Sequence, residues 1–202
     1  MSSAAIQPRD TGRAMSQENV EVVRQQFSLH EGSKRRRTLE QRLAVRFPSL
    51  AALWSRLIAR LSPASRLRQA LLLRAMQSGF EAYNRRDLDV CVLIYHPDVE
   101  FKHPEDHALG FKGSYRGLEG YREFAADWAS GWGEHRFEPR ELIDLGDRFL
   151  VLSELVASGE RSGISLTQSH AMLATFDKDG KVIRQQDYFD HAEALEAVGL
   201  RE

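Results

Sequence analysis

The feature that most constrains this chain is a change of rhythm. In its first two thirds, apolar residues mostly recur every three or four positions, as on one face of a helix. After "GLEGYREFAADWASGW" they alternate with polar residues instead. The runs "HRFEPRELIDLG", "RFLVLSELVASG", "ISLTQSHAMLATFD" and "VIRQQDYF" are each about strand length and rich in β-branched and aromatic residues. "DKDGK" makes a tight turn between the last two. Helices gathered ahead of an antiparallel sheet describe an α+β fold in which a curved sheet wraps over the helices.

The helical part divides further. Residues 1–14 have no period and read as a disordered start. "SQENVEVVRQQF" offers Ser16 as a cap and Val20, Val23 and Phe27 at helical spacing. Leu50, Leu53, Leu57 and Leu61 line one face of a second helix, with Trp54 and Ile58 beside them. "LSPAS" then offers Ser62 as cap and Pro63 as first residue of a long amphipathic helix ending at "AYNRR". Asp87 caps a short helix, "LDVCVLIYH", and a first strand follows around "VEFKH". At the end, Asp190 and Glu193 form a capping-box pattern and Gly199 stops the last helix.

Charge is divided as sharply as rhythm. The net charge of the 202 residues is −1, yet residues 33–74 carry eleven Lys/Arg against the single acid Glu40. Residues 75–202 carry fourteen Lys/Arg against twenty-four Asp/Glu. A basic arm is joined to an acidic body. Its lone Cys91 has no partner for an internal disulfide, and the N-terminus lacks a signal-peptide apolar core, so a cytoplasmic location is expected.

"FEAYNRRDLDV", "HPDVEF", "YRGLEGYREF" and "DGKVIRQQDYFDHAEALEAVGL", in this order, resemble the SnoaL-like branch of the NTF2-like superfamily. The resemblance covers about residues 75–202 and implies a cone-shaped α+β barrel enclosing an apolar pocket. "MSQENVEVVR" looks like the family's usual opening, so residues 15–74 read as the N-terminal helix and a basic helical insertion that splits the family's first helix. The resemblance implies a superfamily that hosts many reactions, including polyketide cyclisation, ketosteroid isomerisation, epoxide hydrolysis and dehydration, and fold alone does not choose among them.

Carried over residue by residue, the ketosteroid isomerase relatives' general-base Asp falls on His103, before Pro104. Their oxyanion Tyr falls on Gly79 and their protonated Asp on Met172, so two of three groups are missing and that reaction is rejected. In polyketide cyclases a late-strand Asp acts as acid/base, and Asp187 is the counterpart here. Gln185, Asp187 and Phe189 share a strand face, and His170 shares the inward face with Met172. A carboxylate among Phe189, Met172 and Trp128 is pushed up by desolvation unless a protonated histidine pulls it down. A one-residue slip would instead turn Asp187 to solvent.

The expected catalytic set is thus Asp187, His103 and His170, with Tyr83, Trp128, Met172, Gln185 and Phe189 against the substrate. For His170 and the aromatic residues, plain core packing is the competing reading. The cluster "HPEDH" at 103–107 reads as pocket residue His103 followed by a polar lip rather than a metal site, and neither metal nor cofactor is expected. The leading expectation is an acid/base enzyme on a small apolar carbonyl compound. A carrier of an apolar ligand and an assembly module worked by its basic arm are the alternatives. For the arm, docking on the acidic body or homodimerisation with its Leu stripe buried ranks ahead of nucleic acid or an anionic membrane through residues 33–74.

Overall fold

The structure is a computed structural model, and it describes residues 36–104, 112–132, 134–158 and 165–200. The helix expected at 16–27, the disorder expected at 1–14 and the polar lip expected at Glu105, Asp106 and His107 all fall outside the described residues.

Among the described residues three helices come first: α1 (Leu39–Arg46), α2 (Pro48–Arg60) and α3 (Arg66–Asn84). Thr38 and Gln41 close a reciprocal capping box on α1, and Pro48 opens α2, where its missing N–H costs nothing. The cap of α3 is Ser65, not Ser62, so the helix starts three residues later than the Pro63 reading predicts. Residues 62–65 form a turn whose Pro63 carbonyl accepts from the Gln69 side chain. Asp87 stands at the N-cap of α4 (Leu88–Cys91) without capping it, because its carboxylate is taken by Arg37 and Arg85.

A short 3-10 turn leads into β1 (Tyr95–Lys102), followed by β2 (Ser114–Arg116) and α5 (Gly117–Trp132). The meander β3 (Glu134–Asp144), β4 (Arg148–Ser158), β5 (Ser165–Phe176) and β6 (Val182–Tyr188) follows, and α6 (His191–Ala197) closes the fold. One sheet runs β2-β1-β6-β5-β4-β3. It is mixed rather than wholly antiparallel: β1 and β6 run parallel, with Phe101 beside Gln185. A meander explains only the hairpin partners, and the return of β6 alongside β1 is a long-range choice that local alternation does not encode. Because β2 and β3 stay edges, the sheet is curved but unclosed.

Both faces of the sheet are covered. Phe149, Val151 and Leu155 of β4 face inward with Trp128 of α5 and Met76, Phe80 and Tyr83 of α3. Leu150 and Leu152 face the other way, with Ala171, Tyr188 and Ala194 under α6. Asp190 accepts from the Ala192 and Glu193 backbone N–H groups at the start of α6, and Gly199 (φ +78°) ends it with Leu200 N–H reaching back to Leu195.

The basic arm docks on its own body. Arg37 donates to Asp87 and Asp89, Arg56 pairs with Asp179, and buried Gln41 donates to Ser78. Arg68 is 2% exposed and holds Asp144 with two bonds of 2.6 and 2.9 Å, tying α3 to the β3–β4 turn. The Leu stripe, however, is not buried. Val45, Gln41, Ser55 and Ala59 turn toward the body, whereas Leu50, Leu53, Trp54 and Leu57 are exposed.

Candidate active site

Strand register determines what the cone's interior can hold. Side chains alternate across a strand, so the pairings Ser153–His170, Val151–Met172 and Met172–Asp187 place all five on one face. Gln185, two residues before Asp187, shares that face. The one-residue slip that would expose Asp187 does not occur: it is 3% exposed.

A cavity of about 570 Å³, its opening included, lies between this face, α3, α5 and the start of β1. Tyr83, His170, Met172, Gln185 and Asp187 of the expected set line it. So do Tyr95, Tyr121, Phe124 and Phe137, and so does Gly79, where an added Cβ meets no atom within 4 Å. His103, Trp128 and Phe189 do not line it. They stack behind it, with His103 5.2 Å from both the Trp128 and the Phe189 ring centroids. His103 Nδ1 lies 2.8 Å from the Pro104 carbonyl, which only accepts, so that nitrogen carries the proton.

Asp187 is held by a directional chain. The Tyr95 hydroxyl donates to Gln185 Oε1 at 2.6 Å, which orients the amide so that Nε2 donates to Asp187 Oδ1 at 3.0 Å. Burial pushes the Asp187 carboxyl up to about 7, with the Gln185 bond pulling in the opposite direction. Burial also pushes the Tyr95 hydroxyl well up, so it remains a donor.

His170 stands on the other side, its Nε2 3.8 Å from Asp187 Oδ1. Ser153 Oγ is 2.8 Å from His170 Nδ1 and 3.2 Å from the His170 carbonyl. The carbonyl can only accept, so the hydroxyl hydrogen goes there and Nδ1 donates to Oγ. Nε2 is therefore a lone pair facing Asp187. Burial first, then the fields of His103 and His191, lower His170 to about 3. It stays neutral near pH 7, so the contact is not an ion pair and does not cancel the upward push on Asp187. His191 Nε2 donates to the Ser153 and His170 carbonyls and closes the network from α6.

Tyr95, Ser153 and His191 are the parts that sequence reading missed. Ser153 was reachable by alternation along β4, but Tyr95 was hidden because "LDVCVLIYH" scans as helix. Among the described residues, no group of three His, Cys, Asp or Glu side chains is placed to hold a metal.

Comparison with known proteins follows the same division of the chain. Residues 76–185, more than half of the sequence, match the family model of the SnoaL-like domain. Among curated proteins none matches. The structure of TerC co-crystallised with polyporic acid is 32% identical, over 61% of this chain and 95% of that one, at a TM-score of 0.53. An NTF2-like protein of unknown function from Burkholderia pseudomallei is 26% identical over 63% and 96% of the two chains, also at 0.53. A protein from a soil-derived mobile gene cassette shares the fold at 17% identity, covering 59% and 88%, with a TM-score of 0.51. With its inward-facing late strands, its cone and a family match spanning α3 to β6, this chain belongs to the SnoaL-like family of NTF2-like proteins.

Proposed function

We propose that the chain binds a small, largely apolar carbonyl compound in the cone and moves a proton on it through Asp187. The observation that carries this reading is the Asp187 carboxyl: buried at the cavity wall, oriented by Gln185, and poised near pH 7. A group half ionised at neutral pH takes a proton from an acidic C–H in one step and returns it to oxygen or carbon in the next. Cyclase, isomerase and hydratase chemistry all draw on that exchange. His170 Nε2 is the adjoining acceptor, and Ser153 fixes its tautomer. His103 is assigned to the wall behind Trp128 rather than to the proton transfer.

The aromatic lining from Tyr83, Tyr95, Tyr121, Phe124 and Phe137 favours a flat, unsaturated ligand. The relative TerC, co-crystallised with polyporic acid, supports testing that compound first. Polyporic acid and a panel of aryl ketones are added to the purified protein and its melting followed. A compound at about 100 times its dissociation constant adds roughly 2.7 kcal/mol to stability. For each compound that binds, turnover is then compared in the native chain and in Asp187→Asn. The expected result is a retained melting shift with turnover reduced ~10²–10⁴-fold. Turnover that survives in Asp187→Asn removes Asp187 from the chemistry, and binding with no turnover in either chain makes the protein a carrier.

A further inference from the structure

Away from the cavity, the outward face of α1 and α2 is a feature without a role. Phe47 ends one helix and precedes the next, and an apolar crest runs across the join. Leu43, Phe47, Leu50, Leu53, Trp54 and Leu57 follow at steps of one to four residues, each between 46% and 59% exposed. Scattered exposed leucines need no explanation, but a continuous stripe at helical spacing does.

The body does not cover this crest, because the helices are anchored through the opposite side. Ser55 and Ala59 lie so close to the β5–β6 turn that a Cβ on Gly180 would collide with the Ser55 carbonyl oxygen. Gln41 is buried against Ser78. The crest therefore faces away from the body.

Charge selects the occupant. Arg42, Arg46 and Arg60 are exposed and fall beside the crest on a helical projection. The Arg46 guanidinium lies 6.0 Å from the Phe47 ring centroid, at the edge of the crest. Between residues 36 and 74 the single acid is Glu40, and Arg74 already holds it. A second copy meeting this face symmetrically would bring one basic face against another, with Glu40 the single acid between residues 36 and 74 to offset the arginines. A nucleic acid backbone would engage the arginines but leave the leucines in water. An anionic lipid surface takes both: leucines and Trp54 in the headgroup and acyl boundary, arginines reaching up to phosphates.

We propose that the outward face of α1 and α2 docks in the plane of a membrane rich in anionic lipid. The test is cosedimentation of the full chain with vesicles of equal phosphatidylglycerol and phosphatidylcholine, against vesicles of phosphatidylcholine alone. Binding to the anionic vesicles is expected, at least ~10-fold tighter than to the neutral ones and weakening as salt rises past ~0.1 M. Leu53→Glu/Trp54→Glu and Arg42→Glu/Arg60→Glu should each weaken it at least ~10-fold while leaving the melting temperature unchanged, since these side chains are exposed. Trp54 emission should shift to the blue on binding, and Trp54→Phe should remove the shift.

No cosedimentation, or equal binding by Leu53→Glu/Trp54→Glu, overturns the proposal. A dimer mass by light scattering that this double variant abolishes also overturns it, as does a melting temperature lowered by several degrees. Either result means that protein, not lipid, covers the stripe. Duplex DNA binding that outcompetes the vesicles and survives the double variant assigns the arginines to nucleic acid instead.

Discussion

Placing a carboxyl where Asp187 sits has a thermodynamic sign as well as the proposed chemical use. Its folded pKa is raised from 3.8 to about 7, so between those values the unfolded chain ionises while the folded one stays neutral. The stability this gives is fully present below about pH 4 and is lost as pH rises through 7, at ~1.4 kcal/mol per unit and on the order of 4 kcal/mol in all. Asp187→Asn should therefore melt higher than the native chain at pH 8 and about equal to it at pH 4, even as it loses turnover. Calorimetry across that range checks the sign. Gln185→Leu removes a donor that opposes burial, so the inflection in the pH–rate profile should move above 7. An unmoved inflection would mean that the profile reports another group. Asp187 was legible because a two-residue period counted back from Phe189 fixes its face, and His170 because the same count from Met172 fixes its own. His103 shows the limit of the method: its place before Pro104 could be read, but the aromatic layer that separates it from the cavity could not. That layer is assembled from α5 and the end of β6, and their meeting is written in no local pattern.

At the scale of elements, the polar contact that ties α3 to the β3–β4 turn is buried. Arg68→Met leaves the Asp144 carboxylate without its bidentate partner in a site 0% exposed, and should lower stability by about 3–5 kcal/mol. Arg68→Met/Asp144→Leu should recover most of that, since removing both charges leaves no ion unpaired. Denaturant unfolding of the pair separates the cost of an orphaned charge from the worth of the bridge. Helices and strands were largely readable, because period and caps are local: Asp190, Gly199 and the turn at Gly180 all do what their residue types predict. The start of α3 was misread because Ser62 and Ser65 both offer a hydroxyl ahead of the same apolar run. The parallel β1–β6 pairing and the outward turn of the Leu stripe were beyond local reading. Both depend on which surfaces meet, and a stripe of leucines carries no mark of whether its partner lies within the chain.

Taken whole, the molecule balances two buried groups of opposite habit. His170 is lowered from 6.5 to about 3, so its contribution is lost as pH falls from 6.5, whereas that of Asp187 is lost as pH rises from about 4. Between those values the two slopes cancel, and this pair predicts a flat stability profile there. Asp187→Asn should tilt the plateau so that stability rises with pH, and His170→Asn should tilt it the other way; melting temperatures from pH 4 to 6.5 read both. The family match runs from residue 76 to 185, so the enclosing cone was legible as a unit, and the arm before it was legible only as charge and period. One glycine, finally, separates how well this molecule folds from what it accommodates. Gly79 interrupts a 19-residue helix at a point where alanine would add about 1 kcal/mol of helix stability, and nothing packs against it that alanine would disturb. The only thing displaced is ligand. Each methyl added there shrinks the chamber while strengthening its wall, so a lineage can retune the bulk of its substrate at this one site without repacking anything else. Gly79→Ala should melt a few degrees higher and bind its bulkiest ligands less tightly.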